Sequence, residues 1–152
     1  MEDAVDLIIE KTRMNLCIEC GRCAAVCPMG KIYEEFTFER FAHVILRQTL
    51  LKQAVWEREE TWACHSCKAC TEACPKGVKI KEFVDAIRIL AIGKGVIKNC
   101  AVCERCGAYF STKPIFDSIR VAVEGKKISS QFLTLCPQCR RYDFLSRIVK
   151  TL

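Results

Sequence analysis

A mainly helical chain with a small α+β extension at its C-terminal end is the predicted fold class, and three observations predict it. Apolar residues recur at three- and four-residue spacing in two stretches; one cysteine pattern occurs twice in the first half; two further cysteine pairs lie in the last third. At 152 residues the chain holds one domain or one and a half, with a modest core that metal centres would staple. With 51% apolar residues it is a folded chain rather than a disordered one.

The elements follow in order. Val5, Leu7, Ile8, Ile9 and Met14 fit a short strand or a helix, and periodicity does not separate the two. Thr37 caps a helix with Phe38, Phe41, Ile45 and then Thr49 or Leu50 on its inner face, and Glu39, Arg40, Arg47 and Lys52 between them. Ile80, Phe83, Val84, Ile87, Leu90 and Ala91 form a second stripe, stopped near Gly93 and Gly95. Both stripes read as core packing. Lys113-Pro114 opens a helix with Ile115, Ile119 and Val123, ended by Gly125. Residues 131–135 read as a strand, and Tyr142, Leu145, Ile148 and Val149 outline a terminal helix.

The repeated pattern is Cys17, Cys20, Cys23, Cys27-Pro28 and again Cys64, Cys67, Cys70, Cys74-Pro75. Three cysteines two residues apart let a looping backbone aim three thiolates at one iron-sulfur cubane, and the fourth, followed by proline, reaches the other cubane. The predicted ligand sets are therefore crossed: Cys17, Cys20, Cys23 and Cys74 for one [4Fe-4S] centre, and Cys64, Cys67, Cys70 and Cys27 for the second. A disulfide framework suits an exported chain, and Met1 is followed by acidic residues rather than an apolar signal segment. Structural zinc takes pairs of ligands on knuckles rather than quartets at this spacing.

Such pairs are found later. Cys103 with Cys106 and Cys136 with Cys139 are two knuckles, and together they offer the four thiolates of a structural zinc site. Cys100 is then spare and reads as a small buried residue. The rival is a third iron-sulfur centre built on Cys100, Cys103, Cys106 and Cys136, which would leave Cys139 over. The formal charge of +6 suggests an anionic partner, but each [4Fe-4S] centre with four thiolates adds about two negative charges and a four-thiolate zinc does likewise. The basic balance is thus compensation for metal sites. Nucleic acid is not an expected partner, since the positive charges are spread out and Phe110, Phe116 and Phe132 read as core.

The interval between the motifs, with its inserted helix, resembles the α-helical ferredoxin domain of the heterodisulfide reductase C subunit, succinate dehydrogenase iron-sulfur subunits and anaerobic glycerol-3-phosphate dehydrogenase. The residues that carry the resemblance are Leu16-Cys17-Ile18-Glu19-Cys20-Gly21-Arg22-Cys23 with Cys27-Pro28-Met29, then Trp62-Ala63-Cys64 to Cys74-Pro75-Lys76-Gly77-Val78, Ile80 and Ala86-Ile87-Arg88. The succinate dehydrogenase type often lacks a cysteine in its second motif; all four are kept here, which favours two cubanes. The tail, Cys103-x2-Cys106-Gly107-x2-Phe110 with Cys136-Pro137-x-Cys139-Arg140-Arg141, is similar to the zinc-binding extension of iron-sulfur subunits in formate hydrogenlyase and multisubunit hydrogenases. Domains are expected at 1–95, a di-cluster ferredoxin, and 96–152, a zinc ribbon.

The predicted function is single-electron relay as a subunit of a larger anaerobic oxidoreductase. The resemblances imply a flavin-containing or nickel-iron, molybdenum or tungsten partner subunit and a cytoplasmic setting, peripheral to a membrane only through partners. No catalytic residue is expected: a fully ligated cluster leaves no iron open to substrate, the G-x-G-x-x-G pattern is missing, and His43 and His65 have no companion acid-base group. The alternatives are a free low-potential ferredoxin and a three-cluster relay.

Overall fold

The computed structural model describes residues 2–33, 42–51, 53–96, 99–126 and 130–150. The chain divides into two compact units, Met1–Ile97 and Lys98–Leu152.

In the first unit the opening segment is a helix, α1 (Glu2–Thr12), which settles the ambiguity its periodicity left. The two cysteine loops carry short helices α2 (Arg22–Ala25) and α5 (Ala69–Glu72), and between them lie α3 (Ala42–Leu50) and α4 (Glu59–Ala63). The unit closes with α6 (Ile80–Gly93). Thr37, Phe38, Glu39, Arg40, Phe41 and Lys52 lie outside the described residues. Within α3 the inner face passes through Ile45, Leu46 and Thr49, whereas Leu50 is exposed. Thr49 is tolerated there because its hydroxyl donates to the Ile45 carbonyl at 2.6 Å.

Helix α6 organises the core. Ile80, Phe83, Val84, Ile87 and Ala91 are buried along one face, and Val5, Met14, Ile45, Val55 and Val78 pack into the same cluster or against it. Phe83 is fully buried, which removes a side chain worth about 1.5–3 kcal/mol from water. α1 packs on α6, and α2 lies against α5, so the two cysteine loops are neighbours. Two buried polar groups of this core are paired: the Thr61 hydroxyl donates to the Val55 carbonyl at 2.6 Å and the Trp62 indole to the Trp56 carbonyl at 2.9 Å.

The second unit is a two-stranded antiparallel hairpin, β1 (Cys100–Val102) and β2 (Tyr109–Thr112), followed by α7 (Lys113–Val123), α8 (Ser130–Leu133) and α9 (Pro137–Lys150). Cys100 pairs with Thr112 and Ala101 with Ser111, and a register shift follows before Val102 meets Tyr109. Pro114 sits in the first turn of α7, where its missing N–H costs nothing. The strand predicted at 131–135 is not formed. That segment begins with the turn of α8, and Thr134 is tied to the first knuckle instead, accepting from the Glu104 amide at 3.2 Å and donating to the Glu104 carboxylate at 2.7 Å. A short apolar run carries no periodicity to distinguish the two outcomes. Phe132 is likewise not core: it is exposed, with the Arg140 guanidinium 5.9 Å from its ring centre. Phe110 and Phe116 meet edge to face at 6.1 Å.

Candidate functional site

The two cysteine loops share one backbone trace. Glu19 and Ser66 both take a left-handed conformation, at φ 52° and 51°, and Gly21 and Lys68 take it again at 73° and 72° before α2 and α5 begin. The repeated reversal curls each loop so that amides face sulfur: Glu19 N–H lies 3.4 Å from Cys17 Sγ, and Ser66 N–H 3.4 Å from Cys64 Sγ. Val78 N–H reaches Cys74 Sγ at 3.4 Å. Such amides stabilise charge on the sulfurs.

Two concavities receive these cysteines. The first is lined by Cys17, Cys20, Cys23 and Cys74 with Leu46, Val78 and Ile80, and measures about 370 Å³ with its open mouth. Cys27, Cys64, Cys67 and Cys70 line the second with His65, Ile45 and Val84, about 440 Å³ counted the same way. Cys74 therefore joins the three cysteines of the first motif, and Cys27 joins those of the second. Cys20 and Cys67 are the exposed members of their sets. Four sulfurs around a recess with an apolar floor, Leu46, Val78 and Ile80 in the first and Ile45, Ile80 and Val84 in the second, with backbone amides aimed at them, are a donor set that fits a cubane iron-sulfur centre.

Electrostatics support the same neighbourhoods. Burial pushes the Cys23 and Cys27 thiols above the ordinary thiol value, and the charges of Cys64 and Cys67 push Cys27 further. Cys70 is driven to about 12, by burial first and then by Cys64 and Cys67. Cys64 is also raised by burial, but the Ser66 amide and Arg88 pull it back. Without a metal these buried thiols hold their protons at neutral pH, so loading must expel them.

Arg88 is a site residue that the sequence reading missed. It is buried on α6, 5% exposed, and donates to the carbonyls of Thr61 at 2.8 Å, Trp62 at 3.3 Å and Cys64, and to Ser66 Oγ at 3.1 Å. Those carbonyls are the orphan acceptors at the end of α4, so one guanidinium caps a helix and fixes the start of the second cysteine loop. Ser66 Oγ passes the network on to Asp85 at 2.6 Å, which pairs with Lys81 at 2.9 Å. The signal was present: position 88 lies four after Val84 and three before Ala91, on the apolar stripe itself. His65 lines the second concavity, held neutral by burial and by Arg88, and its Nε2 has no partner among the described residues.

In the second unit the sulfurs of Cys103, Cys106, Cys136 and Cys139 all lie within 4.8 Å of one another, a group that could hold a metal ion. The hairpin presents the first pair, where Gly107, at φ 68°, donates to the Cys103 carbonyl at 2.8 Å and closes the knuckle. The start of α9 presents the second pair, with Cys139 N–H 3.5 Å from Cys136 Sγ. Arg140 steadies this end by donating to the Leu135 carbonyl at 2.6 Å, and Arg105 pairs with Asp143 at 2.7 Å. Amides of Cys136, Cys106 and Arg105 pull the Cys103 thiol down to about 6, while burial and the neighbouring sulfurs drive Cys139 up to about 12. Four thiols this close cannot all ionise alone; a divalent cation removes the conflict. Cys100 lies on β1, outside this group.

Two quartets of cysteines set in this way are the class of site that a pair of iron-sulfur clusters requires, and residues 13–78 match the 4Fe-4S dicluster domain family. More particularly, the chain is a homologue of heterodisulfide reductase C subunits. It is 36% identical over 118 residues to the iron-sulfur C subunit of the CoB–CoM heterodisulfide reductase of Methanopyrus kandleri, covering 73% of this chain and 57% of the relative. It is 35% identical over 86 residues to the C2 subunit of the H(2)/formate:CoB-CoM heterodisulfide,ferredoxin reductase of Methanococcus maripaludis, covering 57% and 45%. With a protein of Archaeoglobus profundus that is itself like the heterodisulfide reductase C subunit, the identity is 29% over 90 residues, covering 59% and 47%. The chain thus spans about half the length of the curated relatives it matches. No helix among the described residues is long and apolar enough to cross a membrane.

Proposed function

We propose that this chain is an electron-transfer subunit of a multisubunit oxidoreductase of the heterodisulfide reductase kind. Cys17, Cys20, Cys23 and Cys74 hold one [4Fe-4S] centre, and Cys64, Cys67, Cys70 and Cys27 hold the other, in a ferredoxin domain over 1–95. Each centre, when bound, supplies one-electron redox chemistry. The chain's own residues supply four sulfurs per centre, amides that offset their charge, and apolar side chains on the inner side of each recess. In the domain over 96–152, Cys103, Cys106, Cys136 and Cys139 hold a structural zinc ion. Substrate chemistry lies on partner subunits, flavin-containing or carrying nickel-iron, molybdenum or tungsten, in the cytoplasm.

The observation that carries this reading is the exchange of fourth cysteines between the two concavities, within a chain homologous to iron-sulfur subunits of multisubunit reductases. Serine at either exchanged position tests it. Cys27→Ser is expected to damage the centre of the second motif and Cys74→Ser that of the first, read by electron paramagnetic resonance after reduction. If each substitution removes only its own motif's signal, the pairing is wrong.

A further inference from the structure

The two cysteine quartets have the same backbone but different surroundings. Arg88 is the one charged side chain among the buried residues described, and it stands behind the second quartet alone. The charged residues lining the first quartet, Glu19, Arg22 and Lys76, are all exposed, and water screens them. Exposed Lys68 and half-buried Lys81 line the second. A reduced iron-sulfur centre carries one more negative charge than an oxidised one, so a buried positive charge beside it favours reduction.

Resting on the electron-relay reading above, we infer that Arg88 is the positioning residue that makes the two sites unequal: it fixes the Cys64–Ser66 loop through carbonyl contacts and its charge raises the reduction potential of the centre held by Cys27, Cys64, Cys67 and Cys70 above that of the other. One electron is then shared in favour of the second quartet, with no bond made and no proton moved. The net charge beside that quartet is set by a small group. Asp85 accepts from Ser66 Oγ and lies 3.8 Å from Arg88, so it opposes the guanidinium; Lys81, at 2.9 Å from Asp85, dampens that opposition. Glu82 accepts from Thr71 Oγ at 3.3 Å and adds a second, more distant negative charge.

Opposite charge within a few ångströms moves a protonation equilibrium by about one to three units, and the same field acts on an added electron. Arg88→Gln is therefore expected to change the electron-sharing equilibrium between the two centres at least about tenfold, or about 59 mV for a one-electron couple. A purely structural arginine, needed only to cap α4, would not give the charge-dependent pattern that follows.

The experiment is a potentiometric titration followed by electron paramagnetic resonance on the full chain with its metals, alongside its iron and sulfide content. Arg88→Gln is expected to lower one of the two midpoint potentials, Arg88→Lys to restore most of the shift, and Asp85→Asn to move the same potential upward. If Arg88→Gln does not load the second centre, the upward shift in Asp85→Asn decides alone. Potentials that stay put in these variants, or that move in one direction for both Arg88→Gln and Asp85→Asn, overturn the inference while leaving the two-centre reading intact. A wild-type chain that binds a single iron-sulfur centre overturns that reading and the inference with it.

Discussion

Residues up to 97 and residues beyond 98 are held together in different ways. The first unit buries Phe83, Ile87, Trp62, Met14 and Val78 around α6, so its cysteines are mounted on a hydrocarbon core. Among the described residues of the second, the buried positions are Cys103, Thr112 and Cys136, while Ile119, Val121, Tyr142, Phe144 and Leu145 of its helices are exposed. There the sulfurs occupy the place of a core. One residue type thus serves two purposes within one chain: in the first unit cysteine decorates a scaffold, and in the second it is the scaffold.

Removing the metal proposed for the tail should break this contrast most visibly. Structural zinc contributes about 10–16 kcal/mol of apparent binding energy that is also folding energy. Chelation, or Cys136→Ser, is expected to unfold 98–152 while 2–96 keeps its helices, read by hydrogen exchange along the full chain. Protection that persists in both units would mean that the tail has a core of its own. Cys100→Ser, outside the quartet, is expected to leave every metal in place.

The converse disruption is Phe83→Ala. Emptying a fully buried aromatic position costs about 3–5 kcal/mol, and the loss should appear in the first unit's unfolding transition while the tail's metal content stays unchanged.

Proton linkage sharpens the contrast between metal-free and loaded protein. Cys70, near 12 in the folded chain against an ordinary 9.0, binds its proton more tightly folded than unfolded. Its contribution to the stability of the metal-free chain is thus complete below about pH 9 and is lost as pH rises toward about 12. Melting of metal-free protein across that range should show the decline, and loaded protein, with the thiol already deprotonated, should not. Cys139, also near 12, predicts that metal uptake by the tail releases protons and strengthens as pH rises, measurable by competition with a metal-sensitive dye.

The smallest effect belongs to Lys68. It holds the left-handed conformation that Gly21 holds in the sister loop, and a side chain there is strained by about 1–2 kcal/mol. Its pairing with Glu72, at 3.9 Å on the surface, adds little. Lys68→Gly is expected to stabilise the first unit by up to about 1 kcal/mol in thermal unfolding, the gain being reduced by glycine's greater unfolded-state freedom.

Much of this was legible because cysteine spacing and helical periodicity are local. The stripe from Ile80 to Ala91 is α6, and the motif spacing carries the loop geometry with it. Two features were hidden for physical reasons. The burial of Arg88 could be read from its place on the apolar stripe, but its role arises from carbonyls at the end of α4, more than twenty residues away, which no local pattern reveals. The route from Phe132 to Cys136 depends on the bonds between Thr134 and Glu104, a tertiary contact that overrides the strand preference of a short apolar run. The exposed Phe132 is a further consequence, since its ring flanks Arg140 rather than a second sheet.

The iron, sulfide and zinc content of the full chain purified without oxygen tests the metal assignments most directly. About eight irons, eight sulfides and one zinc per chain are expected from two [4Fe-4S] quartets and one four-thiolate site. About four irons would contradict the two-centre assignment, and about twelve irons without zinc would make the tail a third redox centre.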